Sequence, residues 1–423
     1  MWPLLSSAST VFRKRSAFWV VGFAAAACLS DSGLAGDPGM WRATWETSPV
    51  GLPTVTKLGS ETVPPAITFR GTVRYRLRVS QGGRLVRLRF SNEYGNSPLS
   101  LSAASVGTAS NGLDVALGSL HRVTFDGRTS IAIPAGAPAL SDPIDLVAKP
   151  LSDLIVSVYA PEGVSIFDCT PEDSPLDQAG VKNIDATRVE HLSASQCLSM
   201  RPIVSEVDVL ADRSGKTIVA FGDSITDLFV DPKTGERGWP GALSRRLEKT
   251  GDSVVDAGIA GNRLLQTVPM FGASALSRLD RDVFSVPGLS HLIILEGIND
   301  IGMSGAGGMF GDTPLVEPQE LIAAYTQIIA RAHERGIKVF GATILPFEGA
   351  EYYSKDKEKI RSAVNQWIRT SRKFDGIVDF DAAMRDPAKP LRLKPEYDIG
   401  DHLHPNALGY RQMGEVIDLH LFD

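Results

Sequence analysis

The chain has 423 residues, a formal net charge of −6, and 43% hydrophobic against 22% charged residues. That length is more than one ordinary hydrophobic core can use, and it suits two domains. No basic stripe with interleaved aromatics occurs, which argues against nucleic acid as a partner. Beyond the first 35 residues no segment is apolar over enough length to insert stably in a membrane.

The amino-terminal residues 1–35 read as a secretory signal peptide. Arg13-Lys14-Arg15 is a positive n-region, Ala17 to Leu29 is an apolar stretch too short to span comfortably, and Gly33-Leu34-Ala35 offers small residues for cleavage. An uncleaved anchor is the competing reading, and Ala25-Ala26-Ala27-Cys28 loosely matches a lipidation box. Export, to the extracellular space or a periplasm, is expected either way. Of three cysteines, Cys28 falls in this leader, leaving Cys169 and Cys197. An oxidising compartment favours a disulfide between them, with two buried thiols as the alternative. Such a bridge would contribute about 3 kcal/mol through loop entropy.

Residues 36–212 alternate at period two. Thr72–Val79 and Arg84–Phe90 put polar and apolar residues on opposite faces around Gly82-Gly83. The pattern reads as a hairpin with one solvated, arginine-bearing face laced by cross-strand ion pairs. Further strands are expected at Ser130–Ile133, Ile144–Val147 and Leu154–Val158. With no long helical pattern between them, the architecture predicted is an all-β sandwich or jelly roll.

From residue 213 to 423 the rhythm changes. Strands are predicted at Thr217–Phe221, Ser253–Ala257, His291–Glu296, Lys338–Ile344 and Gly376–Phe380, with helices at Trp239–Lys249, Glu320–Arg335 and Lys357–Ser371. Gly336 stands where a left-handed cap belongs. Strand–helix alternation implies an α/β fold with a parallel sheet covered on both faces, and ligands in such sheets bind beyond the carboxyl ends of the strands.

Four islands lie near those ends: Gly222-Asp223-Ser224, Gly258-Ile259-Ala260-Gly261-Asn262, Gly297-Ile298-Asn299-Asp300 and Asp401-His402-Leu403-His404-Pro405. Each has an ordinary structural reading. Ser224 can be a helix N-cap, Gly261 a turn glycine and Asn299-Asp300 a turn pair. His404 can be a solvated loop histidine, Asp401 a helix cap, or both part of a metal site with His402. Together they supply a nucleophile, a base, an orienting carboxylate and oxyanion donors, the set needed for acyl transfer through a covalent intermediate.

On these islands the second half resembles the SGNH hydrolases, the GDSL esterase/lipase family, whose four named residues match Ser224, Gly261, Asn299 and His404. The resemblance implies a three-layer, flavodoxin-like parallel-sheet domain, here preceded by a β-domain of the kind some secreted GDSL esterases carry. It further implies that Ser224 is the nucleophile, His404 its base and Asp401 the orienting carboxylate. The oxyanion would be held by the N–H groups of Ser224 and Gly261 and by the Asn299 amide, with Gly258 as an alternative donor. The second island in this family often begins with Asn, whereas Asp256 stands here, so its local hydrogen bonding is open. No metal or other cofactor is required. Activity should fall on acidification, because an imidazolium cannot act as base.

The expected activity is hydrolysis of carboxylic esters, small-molecule or on a polysaccharide, with short acyl groups such as acetyl favoured. A lipase or lysophospholipase, and an acyltransferase using the same triad, are the alternatives. Gly302–Asp312 is a candidate mobile loop beside an acyl pocket.

Overall fold

A computed structural model describes residues 40–51, 57–58, 61–62, 67–166, 178–192, 196–197, 201, 203–227, 230–231, 234–305 and 313–423. The leader with Cys28, the residue Cys169, the side chain of Cys197 and most of the loop at 302–312 lie outside the described residues, and with them the signal-peptide and disulfide expectations.

Among the described residues the first half has two larger antiparallel sheets, beside the two-stranded pairs Lys57–Leu58 with Glu61–Thr62 and Leu99–Leu101 with Ile131–Ile133. One runs in the order Trp41–Glu46, Val204–Leu210, Val86–Ser91, Pro138–Leu140. The other runs Gln196–Cys197, Gln178–Lys182, Ile67–Arg78, Asp153–Ile166, Ala103–Thr108, His121–Arg122. The inward-facing residues of both, among them Trp45, Val73, Tyr75, Leu77, Leu88, Phe90, Val156, Val158 and Val207, make one buried apolar cluster. Period-two alternation is what allows one face of each sheet to meet the other.

The predicted hairpin is corrected. Ile67–Arg78 pairs with Asp153–Ile166 and Gln178–Lys182, whereas Val86–Ser91 pairs with Val204–Leu210 and Pro138–Leu140. The two strands therefore stand in opposite sheets, and Gly82-Gly83 carries the chain across the sandwich. Gly83 is required by close approach: a Cβ there would meet Leu210 O at 2.6 Å. Ile144–Val147 is no strand either; Ile144 makes an isolated bridge to Val86.

The arginine-rich faces also differ from the solvated expectation. Arg74 is fully buried and donates to Ser157 Oγ (2.8 Å) and to the carbonyls of Leu113 (3.2 Å), Ala186 (3.1 Å), Val189 (2.6 Å) and Glu190 (3.2 Å). It holds two connections against the sheet. Arg87 pairs with buried Asp208 at 2.7 Å, and Arg89 donates to Ser285 Oγ of the second half at 3.0 Å. The ion pairs predicted across strands are present: Arg87–Asp208 lies on a face turned toward the parallel half, whereas Arg76, paired with Asp153 at 2.6 Å on the other sheet, stays partly exposed.

That half is built on a five-stranded parallel sheet in the order Ser253–Gly258, Thr217–Gly222, Leu289–Leu295, Lys338–Ala342, Gly376–Val378. Its central strands are buried on both faces, as Thr217–Gly222 shows along its whole length. Gly238–Arg246 packs with Ala407–Val416, and Pro318–His333 with Lys355–Thr370. Gly336 has φ +70° and ends Pro318–His333 with bonds from Gly336 N to His333 O and Ile337 N to Ala332 O. The order places the second strand on one side of the first and the third on the other, so the switch point lies at the carboxyl end of Thr217–Gly222.

Gly39 to Asp423 forms one compact unit. Trp41–Glu46 belongs to both halves: it is the edge strand of an antiparallel sheet, yet Ala43 sits in the core of the parallel half and Arg42 Nη1 donates to Gly251 O at 3.1 Å. Among the described residues no helix is long and apolar enough to cross a membrane.

Replacing Arg74 with Met removes the donor from five hydrogen bonds, so the chain should lose about 3 kcal/mol or more of stability in denaturant unfolding. An unchanged midpoint would show that the two connections hold without it.

Candidate active site

Ser224 follows the first parallel strand at once and opens the short helix Ser224–Asp227. Gly222 makes the corner possible, since a Cβ there would meet Thr226 Oγ1 at 2.2 Å and Leu295 O at 2.6 Å. Asp223 is buried and accepts the Ile225 N–H at 2.9 Å; burial pushes its carboxyl up to about 7.

His404 reaches the same point from the far end of the chain. Its Nε2 lies 2.8 Å from Ser224 Oγ, and its Nδ1 lies 2.6 Å from Asp401 Oδ2. Asp401 Oδ1 also accepts the N–H groups of Leu403 (2.9 Å) and His404 (2.8 Å). Partial burial alone would raise Asp401, but the imidazole and the two N–H donors outweigh it and hold the carboxyl below its ordinary range. The loop itself is fixed by Asn406, whose side chain caps the last helix through Leu408 N and Gly409 N and donates to Glu396 O.

His402 belongs to a second pair. Its backbone takes φ +63°, and its Nδ1 lies 2.6 Å from Asp398 Oδ2. Two Asp–His pairs thus share one loop, and the structure joins one of them to Ser224. Among the described residues no group of three or more metal-ligating side chains occurs.

The second and third islands are bonded to each other. Asn299 Nδ2 donates to Asn262 O at 3.0 Å, and Asp300 accepts Leu264 N (2.7 Å) and Leu265 N (3.0 Å). Gly261 has φ +72°, and a Cβ on it would fall 2.4 Å from the Phe271 ring. Among the described residues, neither the Gly261 nor the Ser224 backbone N–H has a hydrogen-bond partner. One N–H of the Asn299 amide also stays open for a ligand. Asp256 bonds within its own turn: its Oδ1 accepts the Gly258 N–H at 2.9 Å, and burial raises its carboxyl to about 7. That bond occupies Gly258, the alternative donor.

Sequence reasoning missed the residue beneath all of this. Arg278 is completely buried and stacks over the Phe221 ring at 4.0 Å. It donates to Gly222 O (2.9 Å), Ala257 O (2.6 Å), Asn262 Oδ1 (2.9 Å) and Ser48 Oγ (3.1 Å), and pairs with Asp282 (3.2 Å) and Glu296 (3.3 Å). Nothing local signals this, because an arginine in a short helix is normally a surface residue. A cavity of about 310 Å³ lies elsewhere, lined by Trp45, Arg78, Glu236, Arg237, Pro240 and Asp256.

A family model described as "GDSL-like Lipase/Acylhydrolase family" matches residues 220–412. Those residues form a GDSL-like lipase/acylhydrolase domain. Solved structures similar to it include a GDSL-like lipase from Bacteroides thetaiotaomicron, at 22% identity over 49% of this chain and 87% of that one, with a TM-score of 0.36. An acetyl xylan esterase variant from Geobacillus stearothermophilus aligns at 20% identity over 48% and 93%, with a TM-score of 0.38. An α/β-hydrolase enzyme from the metagenome of Lake Arreo aligns at 18% over 48% and 92%, with a TM-score of 0.36. No curated protein matches the chain. All four islands fall inside the matched GDSL-like domain.

Asp300 offers a pH test. Burial raises its carboxyl from the ordinary 3.8 to about 6, against the pull of the Leu264 and Leu265 N–H groups. The folded chain keeps a proton that the unfolded chain releases, so this group's contribution to stability is complete below pH 3.8 and lost as pH rises through about 6. Asp300→Asn cannot ionise. The Tm deficit of this variant should therefore shrink from about pH 4 to about pH 7, and a deficit independent of pH would refute the assignment.

Proposed function

We propose that this GDSL-like hydrolase is an exported serine esterase working through an acyl-enzyme. The observation that carries the reading is the unbroken chain from Ser224 Oγ through His404 to Asp401, at 2.8 and 2.6 Å. His404 takes the Ser224 proton as the oxygen attacks an ester carbonyl. Asp401 holds the imidazole in the tautomer that accepts at Nε2 and stabilises the imidazolium once formed.

Negative charge then develops on the carbonyl oxygen. Ser224 N–H, Gly261 N–H and Asn299 Nδ2 are the donors that receive it: among the described residues the two backbone N–H groups have no other partner, and Asn299 Nδ2 keeps a second N–H beside the one it gives to Asn262 O. His404 returns the proton to the departing alcohol. Water repeats the sequence on the acyl-enzyme, with His404 again as base. Asp223 takes no part in proton transfer; its bond to Ile225 N–H shapes the corner on which Ser224 stands.

The substrates we propose are short-chain carboxylic esters, acetyl groups on carbohydrate among them. A leader-like sequence at 1–35 and an antiparallel module beside the GDSL-like domain support that choice. The leader at 1–35 and the Cys169–Cys197 bridge belong to the same proposal, with residues 36–212 as the β-module and 213–423 as the catalytic one.

Hydrolysis of p-nitrophenyl esters from acetyl to palmitoyl tests the reading. Activity should be greatest on acetyl and fall with chain length. Ser224→Ala should lose about 10⁴-fold or more, and Asn299→Ala about 10²–10³-fold in kcat. Rates that climb with acyl length would replace the substrate class with lipids, and full turnover by Ser224→Ala would remove the nucleophile.

A further inference from the structure

The loop that presents Gly261 is held from two sides. Arg278 holds Asn262 on one of them. On the other stands Asp227, the last residue of the helix that Ser224 opens, whose Oδ2 accepts the Ala260 N–H at 3.1 Å. Contact there is tight, since a Cβ on Gly258 would lie 2.8 Å from Asp227 Cβ. Asp227 therefore touches both the nucleophile's helix and the residue just before Gly261.

Its carboxylate does not stand alone. Arg201, which precedes the strand Val204–Leu210 of the antiparallel half, meets it with both terminal nitrogens. Nη1 lies 2.9 Å from Oδ1 and Nη2 lies 2.5 Å from Oδ2, while Nη1 also donates to Thr47 Oγ1 at 2.8 Å. A planar guanidinium in this two-point arrangement fixes the plane of the carboxylate as well as its position. Asp256, bonded to Gly258 N–H, adds a second carboxyl group next to Asp227, and both Arg237 and Arg201 stand near enough to act on it.

We infer that Arg201 is a positioning residue for the oxyanion site, through which the β-module completes the catalytic apparatus. Arg201 and Thr47 orient Asp227, Asp227 anchors Ala260 N–H, and the peptide that follows aims Gly261 N–H at the substrate oxygen. This rests on the serine-esterase reading. Arg201 touches no reacting atom, so its loss should act on turnover and leave substrate binding nearly intact. Asp227 without its partner would be free to rotate away from Ala260, and an oxyanion donor that is misaimed loses much of its value in the transition state.

The experiment compares full-length wild type, Ser224→Ala, Arg201→Met, Arg201→Lys and Asp227→Asn on p-nitrophenyl acetate. Active sites are counted by stoichiometric labelling with a fluorophosphonate, so that kcat refers to folded, competent enzyme. Arg201→Met should lower kcat about tenfold, with KM within about twofold of wild type. Arg201→Lys, which keeps the charge but not the fork, should recover part of that loss. Unchanged kcat per labelled site in Arg201→Met overturns the inference, as does a loss confined to the number of labelled sites. Should Arg201→Met not fold, Arg201→Lys and Asp227→Asn decide by the same measure. Wild-type protein that neither hydrolyses the ester nor takes the label overturns the esterase reading and the inference with it. An active wild type beside an inactive Ser224→Ala keeps the reading, and the Arg201 variants then test the positioning role alone.

Discussion

A buried guanidinium organises this molecule. Arg278 sits under the carboxyl ends of three parallel strands, bonded to Gly222 O on the first, Ala257 O on the second and the Glu296 carboxyl group just past the third. Taking such a cation out of water costs several kcal/mol before any partner is counted. Here every nitrogen finds acceptors, the Asp282 carboxylate shares the charge, and an aromatic face covers the plane. The arrangement holds only when all of those groups arrive together. The strand ends, the Asn262 turn and Ser48 of the antiparallel half are therefore placed by one requirement.

The chemistry inherits its geometry from that requirement. Asn262 spends its side-chain oxygen on Arg278 and its amide on the carbonyls of Phe271 and Ala273, while its own carbonyl receives Asn299 Nδ2. Two loops from different strands are thus joined through backbone and side chain at once. Around them the buried carboxyls of Asp223, Glu296 and Asp300 are all pushed above their ordinary range by burial. Carboxyls that tend to keep their protons limit the negative charge around the site, which favours the proposed oxyanion chemistry.

The antiparallel half is more than a neighbour. Its charged face, with Arg87 on Asp208 and Glu46 opposite Glu206, is turned inward, where burial holds the Glu46 and Glu206 carboxyls well above the usual range. Ser48 and Arg201 extend from this half to the two supports of the Gly261 loop, Arg278 and Asp227. The strand Trp41–Glu46 is shared between both cores. Such a joint ties the sandwich to the half that carries the Gly261 loop.

Much of this was legible in the linear text, and for local reasons. Period-two alternation marked the sandwich, and continuous apolar runs such as Leu292–Leu295 marked buried parallel strands. Gly222, Ser224, Asn299 and the Asp401–His404 spacing stood out because each chemical role demands a particular residue type at a particular corner. Pairing was not legible: Thr72–Val79 and Arg84–Phe90 look like adjacent strands, and their separation into opposite sheets depends on Val204–Leu210 and Asp153–Ile166, far along the chain. Nor were the roles of Arg74, Arg201 and Arg278, since an arginine's local pattern is the same whether it faces water or buried acceptors. By itself the sequence determined most of the elements and the candidate reacting groups, which are marked by neighbours along the chain. Only the tertiary structure decided which strands meet and which cations are buried, because both depend on partners that folding alone brings within hydrogen-bond reach.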